Sequence, residues 1–228
     1  MNKIVLTFDT DWIPEEILTE IIEELRRKKL KATVFATNDY EILKNPPPNI
    51  EVAIHPNFDQ GDFKKQTESI KKVFPRAVGV RNHSLLFSER LRPVWQEFRI
   101  QYSSNAMALL EPNLKPYLIG KNIVELPLYF MDRFYLEMTE PKTDFSLKAL
   151  KLNQPGLKIF DFHPIHLALN TPNQKYYEKQ KKHYQAPAKL KKHVFLGQGT
   201  RTLYNQLINH IVDCKIKTYC LRDLLKKP

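Results

Sequence analysis

Asp9 and Asp11 stand two positions apart at the end of an apolar run, KIVLTFDTDW (3–12). Ile4, Val5 and Leu6, followed by Thr7 and Phe8, have the β-branched and aromatic character of a short strand. If that strand runs through Asp11, the two carboxylates share a face about 6.6 Å apart along the backbone. Like charges that close call for water, a cation or a shared proton. A metal site with an adjacent base is one solution. The other is that Asp11 caps a helix beginning near Pro14 while Asp9 is solvated in the turn. Similar residues recur at the ends of other apolar runs. His55 closes NIEVAIH (49–55), Arg81 closes AVGVR (77–81) and His83 follows it. Glu125 and Asp132 lie in and just after NIVELPLYF (122–130). His163 closes LKIFDFH (157–163), with His166 beyond it.

The elements that must position these groups alternate in type. A strand at 3–8 leads to an amphipathic helix near 14–28, where Ile17, Ile21 and Leu25 recur at helical spacing. Strands follow at 31–37 and 49–55, a lysine-rich helix at 61–74 and a strand at 77–81. A helix at 88–98, with Pro93 as a candidate boundary, precedes an extended stretch at 99–105. Strands at 122–130 and 157–163, a helix at 200–213, a strand at 216–221 and a short terminal helix complete the chain. Alternation at this spacing predicts βαβ units and a parallel sheet, and about seven such strands favour a closed (β/α) barrel. In parallel βα barrels the site forms at the C-terminal strand ends, so the polar residues above are expected to converge there. That expectation moves the balance away from the helix-cap reading of Asp11.

The 228 residues are expected to form a single domain, 42% apolar and 27% charged, with six glycines against sixteen prolines. No apolar run approaches the roughly 20 residues needed to span a bilayer, and a strand begins by residue 4, so a cytoplasmic location is expected. Cys214 and Cys220 show no zinc or disulfide pattern and read as reduced bystanders. The net charge of +11 is unevenly spread. Residues 173–193 are rich in lysine, with three tyrosines and a single glutamate, and read as a solvated, mobile insertion or lid, or as an anion-contacting surface.

The ordered motifs resemble the polysaccharide deacetylase family, the NodB-homology or carbohydrate esterase family 4 enzymes. LTFDTDW is similar to their first motif, EVAIHPNF falls where their metal-binding histidine motif stands, VGVRNHS takes the place of their arginine motif, and FDFHPIHL that of their last histidine motif. IHPNF, RNHSL and HPIHLALNT together resemble the WbmS-like branch, associated with surface-polysaccharide gene clusters. The resemblance covers roughly residues 4–172 plus a terminal strand and helix. It implies a distorted, NodB-like (β/α) barrel. It also implies a metal-dependent hydrolase that removes an N-acetyl group from an N-acetylated sugar in surface-polysaccharide biosynthesis. Asp9 matches the general base, Arg81 the arginine that orients it, and His163 the histidine acid. Asp11 and His55 match metal ligands, with zinc the first expectation for the divalent ion. The family usually carries a second histidine four residues after the first, where this chain has Asp59. Asp59 and His83 are the two candidates for the third ligand, and His83 is preferred. The family's usual RPPYG context around the arginine is also absent.

Under this reading Asp161 or Asp132 orients His163, with Asp161 the less able to reach the ring. Each residue also has a structural alternative. Taken alone, His55 before Pro56 reads as a satisfied strand-end histidine, Arg81 as the partner of some surface carboxylate, and Glu125 as a core-edge carboxylate or a substrate contact. His166 is structural or substrate-facing. Trp12, Phe58, Tyr129 and Phe130 either stack on sugar rings or fill the core. His183, His193 and His210 read as surface residues. Two other functions stay open: a deacetylase-like protein that binds glycan without cleaving it, motivated by Asp59, and an anionic-polymer binder, motivated by charge alone. Specific nucleic-acid binding is not expected.

Overall fold

The computed structural model describes residues 3–59 and 61–225. Its strands are β1 (Lys3–Asp9), β2 (Ala32–Ala36), β3 (Ile50–Ile54), β4 (Gly79–Val80), β5 (Tyr102–Ser103), β6 (Tyr117–Leu118), β7 (Val124–Glu125), β8 (Phe130–Met131), β9 (Leu157–Phe162) and β10 (Thr218–Tyr219). The helices are α1 (Glu15–Arg27), α2 (Glu41–Lys44), α3 (Phe63–Val73), α4 (Leu91–Glu97), α5 (Asp132–Thr139), α6 (Pro164–Leu169), α7 (Gln174–Gln180), α8 (Pro187–Lys192) and α9 (Thr200–Asp213). The sheet runs β6-β7-β5-β4-β3-β2-β1-β9-β8, and β10 adds a short parallel pairing to β1. All its pairings are parallel except β6 with β7.

The predicted strand at 122–130 is split at Pro127, whose missing N–H interrupts a ladder. Its first half pairs with β5 and its second half with β9. Between them, Leu128 N–H donates to Ala106 O at 2.8 Å and Tyr129 N–H to Ile159 O at 3.0 Å. One segment thus spans from one side of the curled sheet to the other, giving a distorted (β/α) barrel. Several further boundaries differ from the expectations. The stretches at 77–81 and 99–105 narrow to the two-residue strands β4 and β5, and the strand at 216–221 to β10. Pro93 lies in the first turn of α4, where a missing N–H costs no helical hydrogen bond. Helices α5 and α6 start directly after their strands, in segments too short to show helical periodicity.

Strand alternation sorts side chains into two cores. Ile4, Leu6 and Phe8 point outward and pack against Ile17, Leu18, Ile21 and Leu25 of α1. Val5 points inward with Phe35, Ala53, Tyr102, Leu128 and Ile159. At the N-terminal mouth, buried Glu51 accepts hydrogen bonds from Thr33 Oγ1 and Tyr102 Oη, both at 2.9 Å, and pairs with Arg222 Nε at 3.0 Å. Gly79 makes room for the Tyr102 ring, since a Cβ there would lie 1.9 Å from it. Apolar layers and this network fill the lower barrel. Inward-facing chemistry is confined to the opposite mouth.

The lysine-rich insertion folds into α7 and α8, joined by a 3-10 turn at Lys181–His183. It packs over the loop after β1, with Tyr184 Oη donating to Asp11 O at 2.5 Å and Gln185 Nε2 to Trp12 O at 3.0 Å. Lys191 pairs with Glu16 and Glu20 of α1, each at 2.7 Å. Among the described residues, no helix is long and apolar enough to cross a membrane.

Candidate active site

β1 ends at Asp9, not at Asp11, so the two aspartates do not share a strand face. The chain turns through Asp11 and Trp12 at φ 40° and 59°, a left-handed conformation that non-glycine residues rarely adopt. The turn is held by Trp12 N–H donating to Thr37 Oγ1 at 3.0 Å and by the Tyr184 bond to the Asp11 carbonyl. The N-cap of α1 is Pro14, with no side-chain cap bond, so the helix-cap reading of Asp11 is not realised. The strained turn instead aims the Asp11 carboxylate across the barrel mouth, the kind of place where backbone strain accompanies function.

Asp11 is the hub. Its Oδ1 lies 3.1 Å from His55 Nε2 and 3.2 Å from His83 Nδ1, and its Oδ2 lies 3.5 Å from His163 Nε2. His55 follows β3, and His83 opens a short 3-10 turn two residues after Arg81. One ligand atom from each of Asp11, His55 and His83 lies within 4.8 Å of the others. Two imidazoles and a carboxylate at a barrel mouth suit a divalent cation with positions open to substrate. Asp59 is exposed and lies outside this cluster; its backbone N–H donates to Asn57 Oδ1. Burial opposes charge on Asp11, but hydrogen bonds from His55 and His83 hold its carboxyl well below the usual range.

Arg81 lies fully inside the barrel, its guanidinium carbon 4.1 Å from the Phe35 ring centre. One terminal nitrogen donates to Asp9 Oδ1 at 2.8 Å and Thr7 Oγ1 at 3.0 Å, and to Asp161 Oδ1. Nε and the other terminal nitrogen donate to the carbonyl and hydroxyl of Ser104, each at 2.9 Å. Asp9 is thus fixed with one oxygen engaged. The partner of Arg81 is the buried Asp9–Asp161 pair, not a surface acid.

On the opposite wall, His163 Nδ1 lies 2.6 Å from Asp132 Oδ1, and Asp161 Oδ2 is 3.8 Å away. Asp132 therefore orients the ring. Burial works against a charged imidazole, but the Asp132 carboxylate raises His163 well above its ordinary value. His166 is buried, bonds Thr171 Oγ1 at 3.1 Å, and is pushed by burial down to about 4, the behaviour of a structural histidine. Glu125 accepts from the backbone N–H groups of Asn105 and Ala106 at 2.6 and 2.8 Å and braces the β5–β7 junction. Phe58, Tyr129 and Phe130 are core residues, whereas Trp12 stands edge-on to His83 at 5.1 Å. His183 and His193 stack on each other in the insertion, and His210 lies beside Cys214. Sequence reasoning did not reach Thr7, Ser104, Tyr177 or Tyr184, which no motif spacing distinguishes from ordinary polar residues.

The chain can be placed among known proteins. No curated protein matches it. Among solved structures, a Bordetella bronchiseptica protein, WbmS, named as a polysaccharide deacetylase involved in O-antigen biosynthesis, is 25% identical with a TM-score of 0.81. The match covers 91% of this chain and 90% of that one. A structure from Mycobacterium smegmatis named for polysaccharide deacetylation is 17% identical with a TM-score of 0.50, covering 100% and 94% of the two chains. A carbohydrate esterase family 4 pseudoenzyme from Bacillus anthracis is 13% identical with a TM-score of 0.55, covering 98% and 65%. These last two share the fold alone. The profile of the WbmS-like polysaccharide deacetylases matches residues 6–181, and the chain belongs to that family.

Proposed function

We infer that this protein is a metal-dependent N-deacetylase acting on an N-acetylated sugar during surface-polysaccharide assembly, in the cytoplasm. One observation carries the reading: a single carboxylate, Asp11, meets His55 and His83 through one oxygen and the acid histidine, His163, through the other. Asp11, His55 and His83 would hold the divalent cation, with zinc favoured by the ligand set. Such an ion supplies Lewis acidity, making water a better nucleophile and an amide carbonyl a better electrophile.

The chain's own groups perform the proton transfers. Asp9, gripped at Oδ1 by Arg81, takes the proton from attacking water at Oδ2, the oxygen that Arg81 leaves free. His163 carries a proton on Nε2 and delivers it to the departing sugar nitrogen, because an amine leaves poorly until protonated. Asp132 accepts from Nδ1–H and stabilises the doubly protonated ring, so that Nε2 holds a proton as well. Water adds to the amide carbon, the C–N bond breaks, and the products are acetate and an amino sugar. The insertion acts as a lid that keeps Asp11 in its strained turn.

The test is metal content and acetate release by the purified chain, with N-acetylated sugars and nucleotide sugars as substrates. About one ion per chain is expected, lost in Asp11→Ala and His83→Ala and retained in Asp59→Ala. Asp9→Asn should keep the ion and lose acetate release. A chain that binds no divalent metal, or whose metal content ignores Asp11→Ala, overturns the reading.

A further inference from the structure

Beside the Asp11–His83 cluster lies a pocket of about 380 Å³, within the size range of small-ligand sites. Asp11, Trp12 and His83 form its inner side. The outer side comes from α5 through Arg133, and from the lid through Tyr177 and Lys181. Two cations therefore project into a space that opens onto the candidate catalytic groups.

Neither cation is held by a close ion pair among the described residues, and Lys181 rests its ammonium over the Tyr177 ring at 5.8 Å. Arg133 has no carboxylate at ion-pair distance among the described residues; its neighbour Asp132 spends both oxygens on His163. Lys181 reaches Glu178 only at 3.8 Å, with both side chains more than half exposed, a pairing worth little. Elsewhere in the same lid, Lys191 is held by two glutamates at 2.7 Å. Tyr177 adds a hydroxyl that burial pushes up to about 12, so it remains a hydrogen-bond donor at neutral pH. The Asp11 carboxylate is already engaged by His55 and His83, so Arg133 and Lys181 are the charged groups of the lining left to face a ligand. A neutral N-acetyl sugar has no use for two additional cations, whereas an anion gains from both.

We propose that this pocket receives an anionic group carried by the sugar substrate, a ring carboxylate or a sugar-linked phosphate, with Arg133 and Lys181 as its contacts. The proposal rests on the deacetylase reading for the identity of the ligand as an N-acetylated sugar, and it narrows the substrate to acidic sugars or phosphate-activated ones.

Fluorescence of Trp12, which lines the pocket, reports binding directly. Three probes are titrated into the intact protein: N-acetylglucosamine, N-acetylglucosamine 1-phosphate, and the corresponding N-acetylated uronic acid. At least one anionic probe should bind at least about tenfold more tightly than the neutral sugar, the scale of one charge-assisted contact. That preference should fall with added salt and shrink to about twofold or less in Arg133→Gln/Lys181→Gln. Preference for the uronic acid assigns a ring carboxylate, and preference for the 1-phosphate assigns a phosphate. Both substitutions are at the surface, and an unchanged thermal midpoint verifies that the variant folds. Equal affinity for all three probes, or a preference that survives the double substitution, overturns the proposal. Acetate release is followed in the same samples. Arginine-dependent anion binding without acetate from any probe would remove the deacetylase reading and leave the anion pocket standing.

Discussion

His163 and Asp132 are joined twice: Asp132 Oδ1 lies 2.6 Å from the ring nitrogen Nδ1, and Oδ2 accepts the His163 backbone N–H at 2.8 Å. The two contacts lock both the ring and the strand end that carries it, and they turn Nε2 toward Asp11. They also set the charge on the His163 ring. Burial alone would lower the pKa of His163; the Asp132 carboxylate raises it most, and Asp11 and Asp161 add to the rise. Asp132→Asn should therefore lower the alkaline limb of the kcat/KM profile toward ordinary histidine values, and activity at neutral pH should fall about 10- to 100-fold. The stability sign follows from the same shift. The raised pKa contributes stability fully present below about pH 6.5 and lost as pH rises through the folded value. In Asp132→Asn that loss should shrink in the pH dependence of unfolding, with Asp11 and Asp161 alone left to raise His163. An alkaline limb that does not move would contradict the pairing.

Arg81 joins Asp9 and Asp161 through one terminal nitrogen, bringing a permanent positive charge into the barrel. Burial already pushes Asp161 up to about 7, so Arg81→Leu lets Asp161 take a proton and leaves buried Asp9 without its counter-ion. The expected loss is about 3–5 kcal/mol in denaturant unfolding. Arg81→Lys keeps a charge but cannot reproduce the fork that grips both Ser104 oxygens, and should fall between the two. A wild-type unfolding midpoint in Arg81→Leu would show that Asp9 and Asp161 are stabilised by other means.

Tyr184 lines the pocket beside Asp11 and donates its hydroxyl to the Asp11 carbonyl. Tyr184→Phe should leave the fold within about 1 kcal/mol of wild type, the usual worth of one hydrogen bond. Zinc affinity, measured by competition with a chelating dye, should drop about tenfold as the strained turn loosens. Unchanged zinc affinity would make the lid a cover and not a brace.

The two cysteines should separate cleanly by reactivity. Cys214 is exposed, while Cys220 is buried against β2 and burial pushes its thiol up to about 12. One thiol per chain should react with a disulfide reagent at neutral pH, and none in Cys214→Ser. Two fast thiols in the native chain would place Cys220 at the surface.

The barrel and most of the candidate site were legible in the residue order. Chemistry-bearing side chains stood at the ends of successive apolar runs, and a parallel barrel has one mouth at which all such ends meet. Asp9, His55, Arg81 and His163 could therefore be brought together on paper, because strand direction alone dictates that encounter. The preference for His83 over Asp59 rested on the same logic of strand ends. Other features depended on chain geometry that no local pattern carries. Asp11 was expected on the face of β1, but the strand stops at Asp9 and a left-handed turn swings its carboxylate into position. The stretch 122–130 reads as one strand, yet Pro127 divides it between two partners far apart in sequence. The lysine-rich insertion looked solvated because its contacts are made one residue at a time, by Tyr184, Gln185 and Lys191, to atoms about 170 positions away. Periodicity reports which face of an element is buried. It is silent about which distant backbone atom a lone tyrosine will reach, and that choice belongs to the folded chain.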